Sequence, residues 1–156
     1  MTDGAPGSGT ARVQVAALCW RRVHCAEVLL VTSLKTRRWI VPKGWPQWGR
    51  KLWQTAAAEA NEEAGVVGET GKTPIGHFHY LKEKRGVSHP CRVDVYSLRV
   101  TLEQDHWPEM HRRQRLWLPP EQAAARVAEP ELRHLILTFP AFAVPLKNRR
   151  TPNGAG

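Results

Sequence analysis

The 156-residue sequence predicts an α/β fold, in which a mixed β-sheet lies between layers of helices. Two observations support this class. Five short strand-like runs, the first two of them apolar and rich in β-forming residues, are interspersed with three segments of helical periodicity. Strands and helices in this order pack as a sheet that helices cover on both faces. The length accommodates one such domain with its own core and is too short for two comfortable ones.

The first two apolar runs, VQVAALCW and EVLLVT, are separated by the polar segment RRVHCA, which predicts a β-hairpin. The third run ends at Pro42, because proline has no N–H to donate within a sheet. The last run, RVDVYSLRVT, alternates between two faces. The five predicted strands span residues 13–20, 27–32, 39–41, 75–81 and 92–101.

Three helices are predicted, over residues 52–64, 120–128 and 131–137. Pro119 and Pro120 mark the start of the second helix, since proline is tolerated in the first helical turn. Gly65 directly follows the first helix and suits the left-handed residue that ends a helix. At about 100° per residue, that helix presents a narrow stripe for burial. The stripe consists of Trp53, Ala56, Ala57, Ala60 and Ala64.

Small polar residues at both ends predict a flexible lead-in over residues 1–12 and a flexible basic tail over 146–156, around one domain at 13–145. The lead-in has no apolar run, so neither a secretory signal nor a membrane anchor is expected. The three cysteines, Cys19, Cys25 and Cys91, are odd in number and lack a CxxC spacing. This usage argues against a disulfide framework or a thiolate zinc site, and it favours the cytoplasm.

The chain has 23 Lys and Arg against 14 Asp and Glu, giving a formal net charge of +9. Such a balance favours polyanionic partners: nucleic acid, an anionic membrane surface or a small phosphate-rich molecule. The basic residues fall into three groups, and whether the groups meet in space is left open by the sequence. They are Lys35, Arg37, Arg38 and Lys43; Lys82, Lys84, Arg85 and Arg92; and Arg112, Arg113 and Arg115.

His77 and His79 share one face of a predicted strand and could be metal ligands. No carboxylate or further histidine stands at helical spacing beside them. We therefore interpret both as ordinary strand residues.

Glu59, Glu62 and Glu63 crowd one side of the first helix near its C-terminus. Negative charge there opposes the helix dipole, and two carboxylates about 6 Å apart repel by about 3 kcal/mol at an effective dielectric of about 20. None of the positions four residues further on carries a cation. A divalent cation such as Mg²⁺ or Mn²⁺ would relieve the repulsion. The alternative is an ordinary solvated helix face, because ExxEE is common on helices.

The wider segment resembles the Nudix box, the loop–helix–loop signature of a hydrolase family that acts on nucleoside diphosphates linked to other groups. The matching residues are in register: Gly44, Glu59, Glu62, Glu63, Gly65 and Val66. Arg50 stands where the pattern has glutamate and Ala58 where it has arginine, while Ala60 is a small choice for an aliphatic position. In the family, the missing glutamate–arginine pair braces the loop. Because both members are absent here, neither charge is left without its partner.

Further segments resemble the diphosphoinositol polyphosphate phosphohydrolase branch of that family, among them AALCWRR, EVLLVTS, RRWIVPKG and PIGHF. The resemblance covers about residues 13–130. It implies the Nudix α/β/α sandwich and cleavage of phosphoanhydride bonds in diphosphoinositol polyphosphates, and often in diadenosine polyphosphates. The implied partner is a small-molecule polyphosphate, with nucleic acid less favoured and no membrane.

By the same resemblance, Glu59 and Glu63 are metal ligands for Mg²⁺, with Mn²⁺ as an alternative, and Glu62 accepts a proton. The implied phosphate contacts are Ser33, Lys35, Arg38, Lys43, Gly44, Arg92 and Arg113.

Three other functions stay open. A dinucleoside polyphosphate hydrolase needs an adenine platform, for which Trp45, Trp48 and Trp53 are candidates, although core or rim packing is favoured for each. A Nudix enzyme that trims RNA 5′ ends would also be basic. A non-catalytic polyanion-binding module with a degraded box is the third, and Mg²⁺-dependent turnover separates it from the enzymes.

Overall fold

The computed structural model describes residues 12–142, which form one eight-stranded sheet, three α-helices and a short 3₁₀ helix. The strands are β1 (Arg12–Arg22), β2 (Ala26–Thr32), β3 (Trp39–Ile40), β4 (Lys43–Gly44), β5 (Val66–Thr70), β6 (Gly76–Lys84), β7 (Val87–Glu103) and β8 (Arg115–Leu118). The helices are α1 (Leu52–Ala64), α2 (Pro120–Arg126) and α3 (Pro130–Thr138), and the 3₁₀ helix is Pro140–Phe142.

The sheet is mixed. Its main path runs β3-β2-β1-β7-β5, while β4 pairs with β1, β6 with β7 and β8 with β2. Strands β1 and β7 are parallel, and the other pairs are antiparallel. Residues 14–19 of β1 are all buried, which requires cover on both faces of the sheet.

Helix α1 packs against β1, β4 and β5, whereas α2 and α3 pack against each other and reach β2 and β6. Ala56, Ala60 and Ala64 of α1 are fully buried, because their small side chains let the helix approach the sheet closely. The predicted α/β class, with a mixed sheet between helices, is confirmed.

The predicted bounds of α1 are confirmed at both ends, and the predicted hairpin is the antiparallel pair β1–β2. The predicted strands at 75–81 and 92–101 are longer in the structure, as β6 and β7. Strands β4, β5 and β8 were not predicted. In β5, the register shifts between Val67 and Gly68, where a Cβ on Gly68 would collide with the carbonyl of Arg99. Exposure alternates along this strand, but its sequence VVGET does not alternate between apolar and polar residues.

Most of the predicted lead-in and all of the predicted tail lie outside the described residues, except that Arg12 begins β1. Among residues 12–142, none of the helices has the length and apolar character needed to cross a membrane.

Candidate active site

The acidic residues lie in the last two turns of α1, and hydrogen bonds define both ends of this helix. At its start, the backbone N–H of Lys51 donates to Gln54 Oε1 at 2.8 Å. At its end, Gly65 is left-handed with φ of 68°, and Arg115 Nη1 donates to the carbonyl oxygen of Ala64 at 2.8 Å. The carboxylates are therefore presented from a helix with a fixed last turn.

Gln47 attaches the preceding loop to α1. Its backbone N–H donates to Oγ1 of the buried Thr55 at 3.3 Å, and its Nε2 donates to Glu59 Oε2 at 3.4 Å. These hydrogen bonds hold the loop in a chain whose box lacks the usual Glu–Arg pair and has Arg50 and Ala58 at those positions. Sequence reasoning missed Gln47, because a loop glutamine carries no periodic signal.

The carboxyl groups of Glu59 and Glu63 lie side by side, within hydrogen-bonding reach of each other. The Glu59 carboxylate packs directly against Gly44, where an added Cβ would collide with it. Glu63 Oε1 accepts the backbone N–H of Lys43 at 3.3 Å. Because Lys43 and Gly44 form β4 and pair with β1, this short strand positions both carboxyl groups.

Burial raises the pKa of Glu63 to about 8; Arg113 opposes the rise and Glu59 adds to it. Burial also raises the pKa of Glu59; its hydrogen bond to Glu63 opposes that rise, while Glu62 and Glu109 contribute to it. Two adjacent negative charges are therefore unfavourable at this buried place when no cation is bound. A divalent cation bound between the two groups would favour their deprotonated forms.

Arg113 lies between buried carboxylates and its side chain is 10% exposed. Its Nη2 donates to Glu63 Oε2 at 3.3 Å, its Nη1 donates to the carbonyl oxygen of Thr32 at 3.0 Å, and its Nε donates to Glu109. The backbone N–H of Glu109 donates to the carbonyl oxygen of Glu62 at 3.1 Å. Glu109 thus belongs to the carboxylate cluster, and sequence reasoning missed it because it comes from an irregular loop.

Glu59 and Glu63 face a cleft of about 750 Å³ whose lining includes five basic residues among apolar, polar and acidic ones. Members of all three basic groups from the sequence converge on it. They are Lys35, Arg38 and Lys43 from the first group, Lys82 from the second and Arg113 from the third.

Lys43 is held in the cleft wall by a chain of hydrogen bonds. Its Nζ donates to Tyr80 Oη at 3.0 Å, and Tyr80 Oη donates to Gln14 Oε1 at 2.6 Å. Burial, together with the nearby charge of Lys82, lowers the pKa of Lys43 to about 8. An anion in the cleft would favour the charged ammonium, so anion binding and protonation of Lys43 support each other.

Six of the seven predicted phosphate contacts line this cleft: Ser33, Lys35, Arg38, Lys43, Gly44 and Arg113. Ser33 Oγ accepts the backbone N–H of Arg38 at 3.1 Å, and Arg38 Nη1 pairs with Glu129 Oε2 at 2.7 Å. Arg92 lies outside the cleft lining and pairs with Asp94 at 3.1 Å.

Glu62 is not brought into the cleft. It is exposed and lines a separate cavity of about 480 Å³ beside α1, together with Arg50 and Ala58. The predicted proton acceptor therefore lies on a different side of α1 from the cleft that Glu59 and Glu63 line.

The three candidate tryptophans have different surroundings. Trp45 is 39% exposed and lines both the cleft and an adjoining basic pocket of about 250 Å³. Trp48 is fully exposed. Trp53 packs against the core, with Lys72 Nζ 5.8 Å from its ring centroid. Of these three, only Trp45 lines the cleft.

Paired carboxyl groups on a helix beside a cleft of lysines and arginines define a site suited to a metal and a polyphosphate. Residues 11–139 match the family model of the NUDIX domain, and the chain belongs to the Nudix hydrolase family.

Two curated relatives illustrate the similarity. The chain is 34% identical over 113 residues to human diphosphoinositol polyphosphate phosphohydrolase 3-beta. The aligned segment covers 70% of this chain and 65% of the human protein. It is 32% identical over 105 residues to Nudix hydrolase 12, mitochondrial, of Arabidopsis thaliana, covering 65% of this chain and 52% of that protein. The chain thus spans about half the length of the plant relatives it matches.

Solved structures share the fold. A Caenorhabditis elegans Ap4A hydrolase superposes with a TM-score of 0.58 at 22% identity, covering 85% of this chain and 98% of that one. A NUDIX hydrolase from Nitrosomonas europaea gives a TM-score of 0.65 at 19% identity, covering 88% and 94%.

Proposed function

We propose that the protein is a Mg²⁺-dependent pyrophosphohydrolase that cleaves phosphoanhydride bonds of a densely anionic small molecule. Diphosphoinositol polyphosphate is the first candidate substrate and diadenosine polyphosphate the second. The observation that carries the proposal is the meeting of Glu59 and Glu63 with basic side chains from three chain segments in one cleft.

The residues present fit a hard divalent cation. Glu59 and Glu63 supply adjacent carboxylate oxygens, the ligand type that Mg²⁺ prefers. Burial is the first cause of the raised pKa of each group, neighbouring carboxylates add to it, and Arg113 opposes it in both. When bound there, Mg²⁺ would neutralise phosphate charge and acidify water.

The cleft residues supply binding and orientation. Lys35, Arg38 and Lys43 line the cleft, and we expect them to contact phosphate oxygens, since a planar guanidinium matches two such oxygens at once. Arg113 holds the Glu63 carboxylate in position, because it donates to it from an almost buried site. Hydrolysis also needs a proton acceptor, for which Glu62 stays our prediction.

The inositol substrate is favoured by the number of cations around the cleft and by the 34% identity to a relative named for diphosphoinositol polyphosphate. The diadenosine substrate is favoured by Trp45, which lies between the cleft and the adjoining pocket and offers a face for a base. We propose the cytoplasm as the compartment, since the described cysteines are free thiols.

The test is phosphate release with Mg²⁺ from diphosphoinositol polyphosphate, diadenosine polyphosphates, ADP-ribose, nucleoside triphosphates and triphosphorylated RNA. Glu59→Gln and Glu63→Gln should each abolish turnover, whereas Glu121→Gln, an exposed carboxylate on α2, should not. Glu62→Gln tests the proton acceptor. If the wild-type protein binds these polyphosphates tightly and turns over none of them, the protein is a polyphosphate-binding module instead of an enzyme.

A further inference from the structure

Two histidines and a glutamate form a second cluster of metal-ligating groups away from the cleft. His77 and His79 lie on β6, and Glu131 lies in the first turn of α3. All three are exposed, and each offers one ligand atom within 4.8 Å of the other two. Sequence reasoning interpreted the histidines as ordinary strand residues because no metal-ligating partner for them was recognised in the sequence. The fold supplies that carboxylate from 52 residues away.

The arrangement of the three groups follows from the backbone. Alternate residues of a strand share a face, so the imidazole rings of His77 and His79 are neighbours with centroids 5.3 Å apart. Helix α3 packs against β6, with Leu135 filling the space above Gly76. This contact brings Glu131 to the two rings.

The Glu131 carboxylate is held in place by the strand itself. Its Oε1 accepts the backbone N–H of His79 at 2.8 Å and lies 3.0 Å from the Nδ1 atom of the same residue. Because the backbone contact does not use the imidazole, it can persist when the ring nitrogen binds a cation. The carboxylate is thus preorganised beside both histidines.

The surrounding charges permit a cation at this place. Arg92 pairs with His79 across the β6–β7 ladder, but its guanidinium is directed to Asp94, with Nε 3.1 Å from Oδ1. Asp94 in turn pairs with His77 in the same ladder. Beside the cluster, therefore, Arg92 is paired, and the carboxylate of Asp94 adds negative charge next to that of Glu131.

We propose that His77, His79 and Glu131 form a transition-metal site, with Zn²⁺ as the expected occupant. Two imidazoles and one carboxylate are a ligand set that Zn²⁺ uses in proteins, whereas Mg²⁺ prefers oxygen ligands. This site is separate from Glu59 and Glu63 and does not depend on the proposed hydrolase function. A metal there would link the start of α3 to β6, the strand that also carries Tyr80 into the cleft.

The test uses the full chain with Glu59→Gln and Glu63→Gln as background, so that the proposed Mg²⁺ site does not contribute. Zn²⁺ titrated calorimetrically should bind with a stoichiometry of one. In this background, His77→Ala and His79→Ala should each lower Zn²⁺ affinity by more than about 10-fold. The conservative Glu131→Gln should weaken binding while keeping an oxygen for the His79 backbone N–H. His24→Ala, an exposed histidine elsewhere, is the matched control.

Two further readouts keep the test decisive if an alanine variant loses stability. In imidazole ¹⁵N spectra of the background protein, only the His77 and His79 resonances should shift on adding Zn²⁺, and excess Mg²⁺ should not reverse the change. Zn²⁺ should also raise the Tm of this protein and leave that of the His77→Ala variant unchanged. Unchanged spectra of these two rings, or equal Zn²⁺ affinity in both histidine variants and the background, would overturn the proposal.

Discussion

Gly44→Ala tests whether the short strand β4 positions the Glu59 carboxylate. Gly44 does not have a positive φ, so alanine fits its backbone without strain. The added Cβ, however, would occupy the place of the Glu59 carboxylate, with Oε1 at 2.9 Å and the remaining carboxyl atoms closer still. The substitution therefore acts on one predicted metal ligand and leaves the backbone unchanged.

The expected loss of rate follows from the distance by which the Glu59 carboxylate is displaced. Ordinary van der Waals contact for a Cβ begins at 3.4 Å, so the carboxylate must retreat by about 1 Å, a misplacement that costs about 100-fold in rate. That factor corresponds to about 2.7 kcal/mol of transition-state stabilisation. The free energy of unfolding should change by less than about 1 kcal/mol, because an exchange of glycine for alanine at a compatible φ has a small effect.

The assay is kcat/KM for phosphate release at saturating Mg²⁺, together with calorimetric Mg²⁺ affinity and urea unfolding. Gly71→Ala is the matched control, since its Cβ meets only Ser97 Oγ at 3.1 Å and the Thr73 carbonyl oxygen at 3.9 Å, away from the cleft. We expect weaker Mg²⁺ binding and slower turnover in Gly44→Ala alone. If a folded Gly44→Ala protein has the wild-type Mg²⁺ affinity and the wild-type kcat/KM, the role assigned to the contact between Gly44 and the Glu59 carboxylate is refuted.

Two further predictions concern the carboxylate cluster. Arg113→Met should destabilise the metal-free protein by about 3–5 kcal/mol, because Glu63 and Glu109 lose a cation at a nearly buried position. Urea unfolding measures this loss, and Mg²⁺ should recover part of it. An equal loss with and without Mg²⁺ would contradict the pairing of Arg113 with the metal-binding carboxylates. The second concerns pH. Since the folded-state pKa of Glu63 is raised to about 8 and that of Glu59 is also raised, stability from these groups is present at low pH and lost as pH rises through the raised values. The Tm gain from Mg²⁺ should therefore be larger at about pH 9 than at about pH 6, and a gain independent of pH would contradict it.

Local signals explain what could be predicted from the sequence. Helix α1 was predicted at both bounds because an alanine stripe and Gly65 mark its face and its end, and these depend only on neighbouring residues. The buried position of Glu63 was not predicted, since the helix alone places it at the rim between core and solvent. Strand β4 and Arg113 cover it in the fold, and both are distant in sequence.

Long-range contacts explain most of what could not be predicted. Glu109 reaches the cluster through a loop whose turns are closed by bonds such as Arg113 N–H to the Glu109 carbonyl oxygen. Glu131 meets His79 only because α3 packs on β6. The meeting of three basic groups in one cleft likewise depends on the order of strands in the sheet. None of these long-range contacts produces a recognisable pattern among neighbouring residues of the sequence.

The two departures from the Nudix box act on the loop and leave the paired carboxyl groups in place. Arg50 and Ala58 line a cavity separate from the cleft, so neither substitution removes a group from the side of α1 that Glu59 and Glu63 occupy. Gln47 takes over the bracing with neutral hydrogen bonds, one of them to Glu59 itself. A neutral brace keeps both of its contacts without a buried charge that would need a partner. The same glutamine therefore links the position of the loop to that of a predicted metal ligand, which is why a chain with an altered box can retain the arrangement that hydrolysis requires.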